Sequence, residues 1–159
     1  VDLFDAAWIS SPLLNPLRQA KPWMRVVLPL AAQLLPTITI STGVSSSDCG
    51  EKTARSETEK DQVLFHSRIS IGWSRDLCDA AEELREQFPT MPFGKPILFT
   101  QGGSDAICPA QILENRLNKI TSNQISFEKI KEALHEPFSG STREKFLAHL
   151  NHWIDHKIG

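Results

Sequence analysis

Two side chains in this sequence have the types, order and settings that acid–base catalysis at a serine requires. Ile97-Leu98-Phe99-Thr100 reads as a buried strand, and Gln101-Gly102-Gly103-Ser104-Asp105 as the tight turn that delivers a carboxylate beyond its end. Thirty positions later, Ala133-Leu134-His135-Glu136 presents a histidine after a second strand-like run. A carboxylate fixes the imidazole tautomer and stabilises the imidazolium, while the imidazole takes the proton of a serine hydroxyl. Asp105 followed by His135 is the second half of such a Ser…Asp…His triad. Taken singly, Asp105 reads equally as an Asx-turn or capping residue before Pro109, and His135 as an ordinary loop histidine. Their placement just past the ends of adjacent parallel strands is what turns the pair toward catalysis.

The third member is missing. A Gly-x-Ser-x-Gly elbow occurs nowhere in the 159 residues. Gly43-Val44-Ser45 starts one, but Ser47 stands where the closing glycine belongs and no strand leads in. Cys108 lies near Asp105 without a nearby base in sequence, so it is not read as a nucleophile. His149, His152 and His156 share one stripe of the last predicted helix at spacings compatible with zinc, but no acidic or cysteine ligand is interleaved. They read as a solvated flank, and neither a metal nor a cofactor is expected.

Hydrophobic content of 40% and charged content of 23% are those of an ordinary globular domain. A formal net charge of −2, with no Lys/Arg stripe, argues against nucleic acid as a partner. The cysteines Cys49, Cys78 and Cys108 are odd in number and form no C-x-x-C, which fits a reducing, cytoplasmic setting. The chain begins at Val1 rather than Met, so an upstream part, with any targeting signal, is expected to be missing.

The elements that must hold Asp105 and His135 can be placed from pattern. Ala6 to Ser10 reads as a short buried strand closed by Ser10-Ser11-Pro12. The stretch from Trp23 to Leu35, broken by Arg25 and Pro29, is too short to span a bilayer and reads as lid or core helix ending at Pro36. Residues 41–62 read as a solvated Ser-rich loop. From Ile69 helical spacing sets in, with Trp73, Leu77, Ala81, Leu84 and Phe88 on one apolar stripe. Pro109 opens another helix, and Ile125 to Ile130 forms a third strand. Ser141 is a candidate N-cap for a last helix burying Phe146, Leu147, Leu150, Trp153 and Ile154. Strands alternating with helices give a parallel sheet of the α/β class.

These motifs, in order along nearly the whole chain, resemble the C-terminal part of monoacylglycerol lipase and lysophospholipase-like serine hydrolases of the α/β-hydrolase superfamily. Ala7-Trp8-Ile9-Ser10-Ser11-Pro12-Leu13-Leu14 is similar to the strand following the nucleophile elbow's helix. The apolar 20–36 segment resembles the family's cap, and His66-Ser67-Arg68-Ile69-Ser70 with Trp73 the stretch that re-enters the main domain. Gly102-Gly103-Ser104-Asp105 matches the acid turn and His135-Glu136 the histidine loop. One departure is Glu132, where the family tends to have glycine. The resemblance implies an α/β-hydrolase core from 1–14 and 66–159, with a cap over 15–65. It makes Asp105 the orienter of His135, and His135 the general base toward a serine outside the chain.

The expected function is that of a fragment of a serine ester hydrolase acting on monoacylglycerol- or lysophospholipid-like esters, inactive or nearly so by itself. A catalytically inactive remnant serving as a binding module is the alternative. A third reading keeps the superfamily but uses an aspartate nucleophile, as dehalogenases and epoxide hydrolases do. The partners expected are a lipid-like ester and, through the cap, a membrane surface without a transmembrane segment. Self-association is expected too, because the first strand lacks its usual neighbour.

Overall fold

In the computed structural model, residues 3–18, 20–51, 67–90 and 94–158 are described. His66 and residues 52–62 of the Ser-rich 41–62 stretch lie outside them. Three strands form a parallel sheet: β1 (Ala7–Ser10), then, numbering by chain order, β4 (Ile97–Gly102) at the centre and β5 (Ile125–Ile130) on its far side. A separate antiparallel pair joins β2 (Thr39–Ser41) to β3 (Arg68–Ser70). The helices are α1 (Pro22–Leu34), α2 (Ser46–Cys49), α3 (Ile71–Gln87), α4 (Ala110–Leu117) and α5 (Arg143–Lys157). The expected α/β architecture is the observed one.

Strand β4 is buried without alternation because both its faces are covered, as parallel strands require. On one face Phe99 meets Phe88 and Leu113 of α4, with Leu14, Leu84, Ile97, Leu117 and Phe127 packed around them. On the other, Trp8 donates its indole N–H to Thr100 Oγ1 at 2.9 Å, and its ring lies 5.1 Å from that of Phe146 on α5. Trp153 of α5 reaches Ser126 on the same face at 3.1 Å. Each Leu or Phe so buried contributes roughly 1.5–3 kcal/mol, and the result is a rigid central strand whose C-terminal end carries the acid turn.

Several boundaries differ from expectation. β4 runs to Gly102 rather than Thr100. Helix α3 begins at Ile71, because Arg68–Ser70 pairs with β2, a partner distant in sequence. Its buried stripe is Ile71, Ser74 and Ala81, while Trp73 is 53% exposed, contrary to its assignment to the apolar face. Helix α5 is entered through a 3-10 turn at Gly140–Thr142, so Ser141 is not its cap. The Thr142 hydroxyl turns back to the carbonyls of Pro137 and Ser139. Phe146 and Trp153 are buried as expected, but Ile154 faces solvent. Within the Ser-rich stretch, Ser45 and Asp48 form a capping box that starts α2.

Candidate active site

Asp105 stands three residues past β4, beyond a Gly102-Gly103 step whose need is steric. A Cβ on Gly102 would lie 1.9 Å from the Leu134 carbonyl oxygen, and one on Gly103 2.6 Å from that of Lys131. The histidine loop therefore runs directly against the acid turn. Gly103 N–H donates to Ile130 O at 2.8 Å and Ser104 N–H to Ala133 O at 3.0 Å, tying the two together. This close approach brings His135 to Asp105.

The imidazole Nδ1 and Asp105 Oδ2 are 2.9 Å apart. The Asp105 side chain is fully buried, and that of His135 is 27% exposed. The other carboxylate oxygen, Oδ1, accepts from the backbone N–H groups of Ile107 and Cys108, both at 2.8 Å. Oδ2 also accepts from Gln101 Nε2 at 2.7 Å, and the same nitrogen donates to Cys108 O at 2.7 Å. With Asp105 on Nδ1, the Nε2 nitrogen of His135 remains to exchange a proton with another group.

The histidine loop is held from two further sides. Ser11, buried and in the left-handed region at φ 48°, donates its hydroxyl to the His135 carbonyl at 2.6 Å. From the other direction Glu136 N–H donates to Cys49 O at 2.9 Å. Glu51 grips Ser141 through the latter's hydroxyl and backbone N–H, and these bonds hold its carboxyl below the usual range. Glu132, whose charge departs from the resemblance, pairs at the surface with Lys145 at 3.4 Å. Its own backbone N–H, first, and then Lys145 lower its pKa.

Among the described residues, metal-binding atoms of Asp105, Cys108 and His135 lie within 4.8 Å of one another. Burial, and next the Asp105 charge, push the Cys108 thiol up to about 12, so it is a neutral thiol at physiological pH. A cation here would have to deprotonate that thiol and displace the Nδ1–Oδ2 hydrogen bond. The trio is arranged as a hydrogen-bonded cluster rather than as a ligand set. The helix histidines form no such group: His149 faces Glu128 at 3.5 Å, and the rings of His152 and His156 lie 4.5 Å apart.

A family model described as serine aminopeptidase, S33 (Hydrolase_4), matches residues 2–141. The chain belongs to this family. The α/β-hydrolase fold is also that of solved lipases. Monoacylglycerol lipase of Paleococcus ferrophilus superposes on 98% of this chain with a TM-score of 0.81 at 20% identity, over 60% of its own length. A soluble variant of the Saccharomyces cerevisiae monoglyceride lipase covers 94% of it with a TM-score of 0.76 at 18% identity, over 55% of its own length. An uncharacterised abhydrolase domain-containing protein of Dictyostelium discoideum is 23% identical over 151 residues, 94% of this chain and 16% of that protein. The chain thus spans little more than half of the solved lipases it matches.

Three residues of this candidate site escaped the sequence reading. Ser11 was visible only as part of a turn, and Glu51 only as part of a polar loop, since their partners lie 124 and 90 positions away. Gln101 carried one signal: an amide at the end of an otherwise apolar strand, a position that burial on both faces makes unfavourable without a purpose.

Proposed function

We propose that Asp105 and His135 are the orienter and the general base of a serine ester hydrolase. Its substrate class is monoacylglycerol- or lysophospholipid-like esters. The observation that carries this reading is the 2.9 Å contact from Nδ1 to a carboxylate whose position is held by three other donors. In this reading His135 Nε2 removes the proton of a serine hydroxyl as it attacks the ester carbonyl. The imidazolium then protonates the departing alcohol, and the cycle repeats with water to release the acid. In this reading the serine is supplied from outside these residues, whose sequence holds no Gly-x-Ser-x-Gly elbow.

A lipid-like substrate is supported by α1. Its Trp23, Val26, Val27, Leu30 and Leu34 are all exposed, while Ala32 is buried. An apolar face turned outward suits a cap that meets acyl chains and touches a membrane surface. No described helix is long and apolar enough to cross one. The free thiols of Cys49, Cys78 and Cys108 suit a reducing compartment such as the cytoplasm.

The family's description as an aminopeptidase makes peptide amides the competing substrate class. A panel of 2-monoacylglycerol, lysophosphatidylcholine and aminoacyl p-nitroanilides, offered to the product of the full reading frame containing these residues, distinguishes the two. Preferential release of fatty acid supports the proposal. Preferential release of p-nitroaniline contradicts the lipid assignment, and turnover of neither class supports the inactive remnant.

A further inference from the structure

We propose that Gln101 is the positioning residue of the acid–base pair, its side-chain amide aiming Asp105 Oδ2 at His135 Nδ1. The inference rests on reading Asp105 and His135 as a catalytic pair. A carboxylate offers about four lone-pair sites, and here all four are taken. Oδ1 receives the amides of Ile107 and Cys108, and Oδ2 receives Gln101 Nε2 and His135 Nδ1. The two backbone donors belong to Asp105's own turn and fix Oδ1. Among the described residues, the only donor beside the imidazole on Oδ2 is Gln101, which is fully buried on the central strand.

The orientation of that amide is forced. Both Nε2 protons have acceptors, Asp105 Oδ2 and Cys108 O, each at 2.7 Å. Turning the amide over would aim Oε1 at two oxygens. Held as it is, Oε1 is buried with no hydrogen-bond partner among the described residues. A buried acceptor left unmatched is a standing cost that an apolar residue of the same size would avoid. The only return visible for that cost is the hold on Asp105 and on the Cys108 carbonyl.

The 159-residue chain itself can be tested, by proton NMR of the His135 Nδ1–H, which a carboxylate partner shifts far downfield and shields from solvent exchange. Asp105→Ala assigns the signal by removing it. In Gln101→Met and Gln101→Leu, which keep an apolar side chain of similar size but lose both donors, the signal should vanish or exchange roughly tenfold faster, the equivalent of one hydrogen bond. Far-UV circular dichroism should stay unchanged. A folded variant in which the signal and its exchange match the wild type overturns the proposal.

If neither variant folds, the wild-type chain supplies the reading. The Gln101 Nε2 protons should exchange slowly and should shift in His135→Ala, because both groups share Oδ2. Protons indifferent to that change overturn the proposal. A wild-type chain with no downfield signal refutes the pairing itself, and with it both this inference and the proposed function.

Discussion

At the scale of single residues, the site is governed by how closely two loops approach. Gly102 leaves no room for a methyl group against the Leu134 carbonyl. Gly102→Ala is therefore expected to destabilise the fold by about 2–3 kcal/mol, as overpacking against backbone does. It should lower the urea midpoint at unchanged slope, whereas a midpoint equal to wild type would show that the histidine loop does not press on the acid turn. Asp105 and His135 were legible in the sequence because their residue types are chemically scarce and each follows a strand. Ser11 was not, because its role exists only when β1 and the histidine loop, 124 positions apart, are side by side. No local pattern encodes that neighbourhood.

At the scale of elements, the parallel strands were readable because apolar runs bounded by turn residues are local signals. The antiparallel β2–β3 pair was not, since Thr39 meets Ser70 across thirty-one positions of chain and only that pairing halts α3 at Ile71. The short α2 and Glu51 illustrate the same limit: a stretch that reads as solvated loop packs against the histidine loop through Cys49 and Ser141. This contact carries a pH signature. The Glu51 carboxyl lies below its ordinary value in the folded chain, so its contribution is present above about pH 4.5 and fades as pH falls through the folded value. Wild type should therefore melt higher than Glu51→Gln at neutral pH and lose that advantage in acid. Equal melting temperatures at neutral pH would show that the clamp contributes nothing.

At the scale of the whole molecule, two unsatisfied surfaces stand out among the described residues. Strand β1 pairs with β4 on one side and has no partner on the other, and its Trp8 and Ile9 are 42% and 36% exposed. The outward face of α1 adds Val26 and Leu34, at 78% and 70%. An apolar ladder edge and an apolar helix face both favour association. The chain is expected to elute ahead of a monomer in size-exclusion chromatography, and Val26→Lys together with Leu34→Lys should shift it toward monomer. A monomer at all concentrations would mean that these surfaces are self-sufficient. The central claim, that His135 is a general base held by Asp105, meets its most direct test in a single rate comparison. Monoacylglycerol hydrolysis by the full reading-frame product is measured with His135 intact and as His135→Ala. Loss of a triad base lowers the rate by on the order of 10³-fold or more, and that is the expected result. A folded His135→Ala protein that retains the wild-type rate would contradict it.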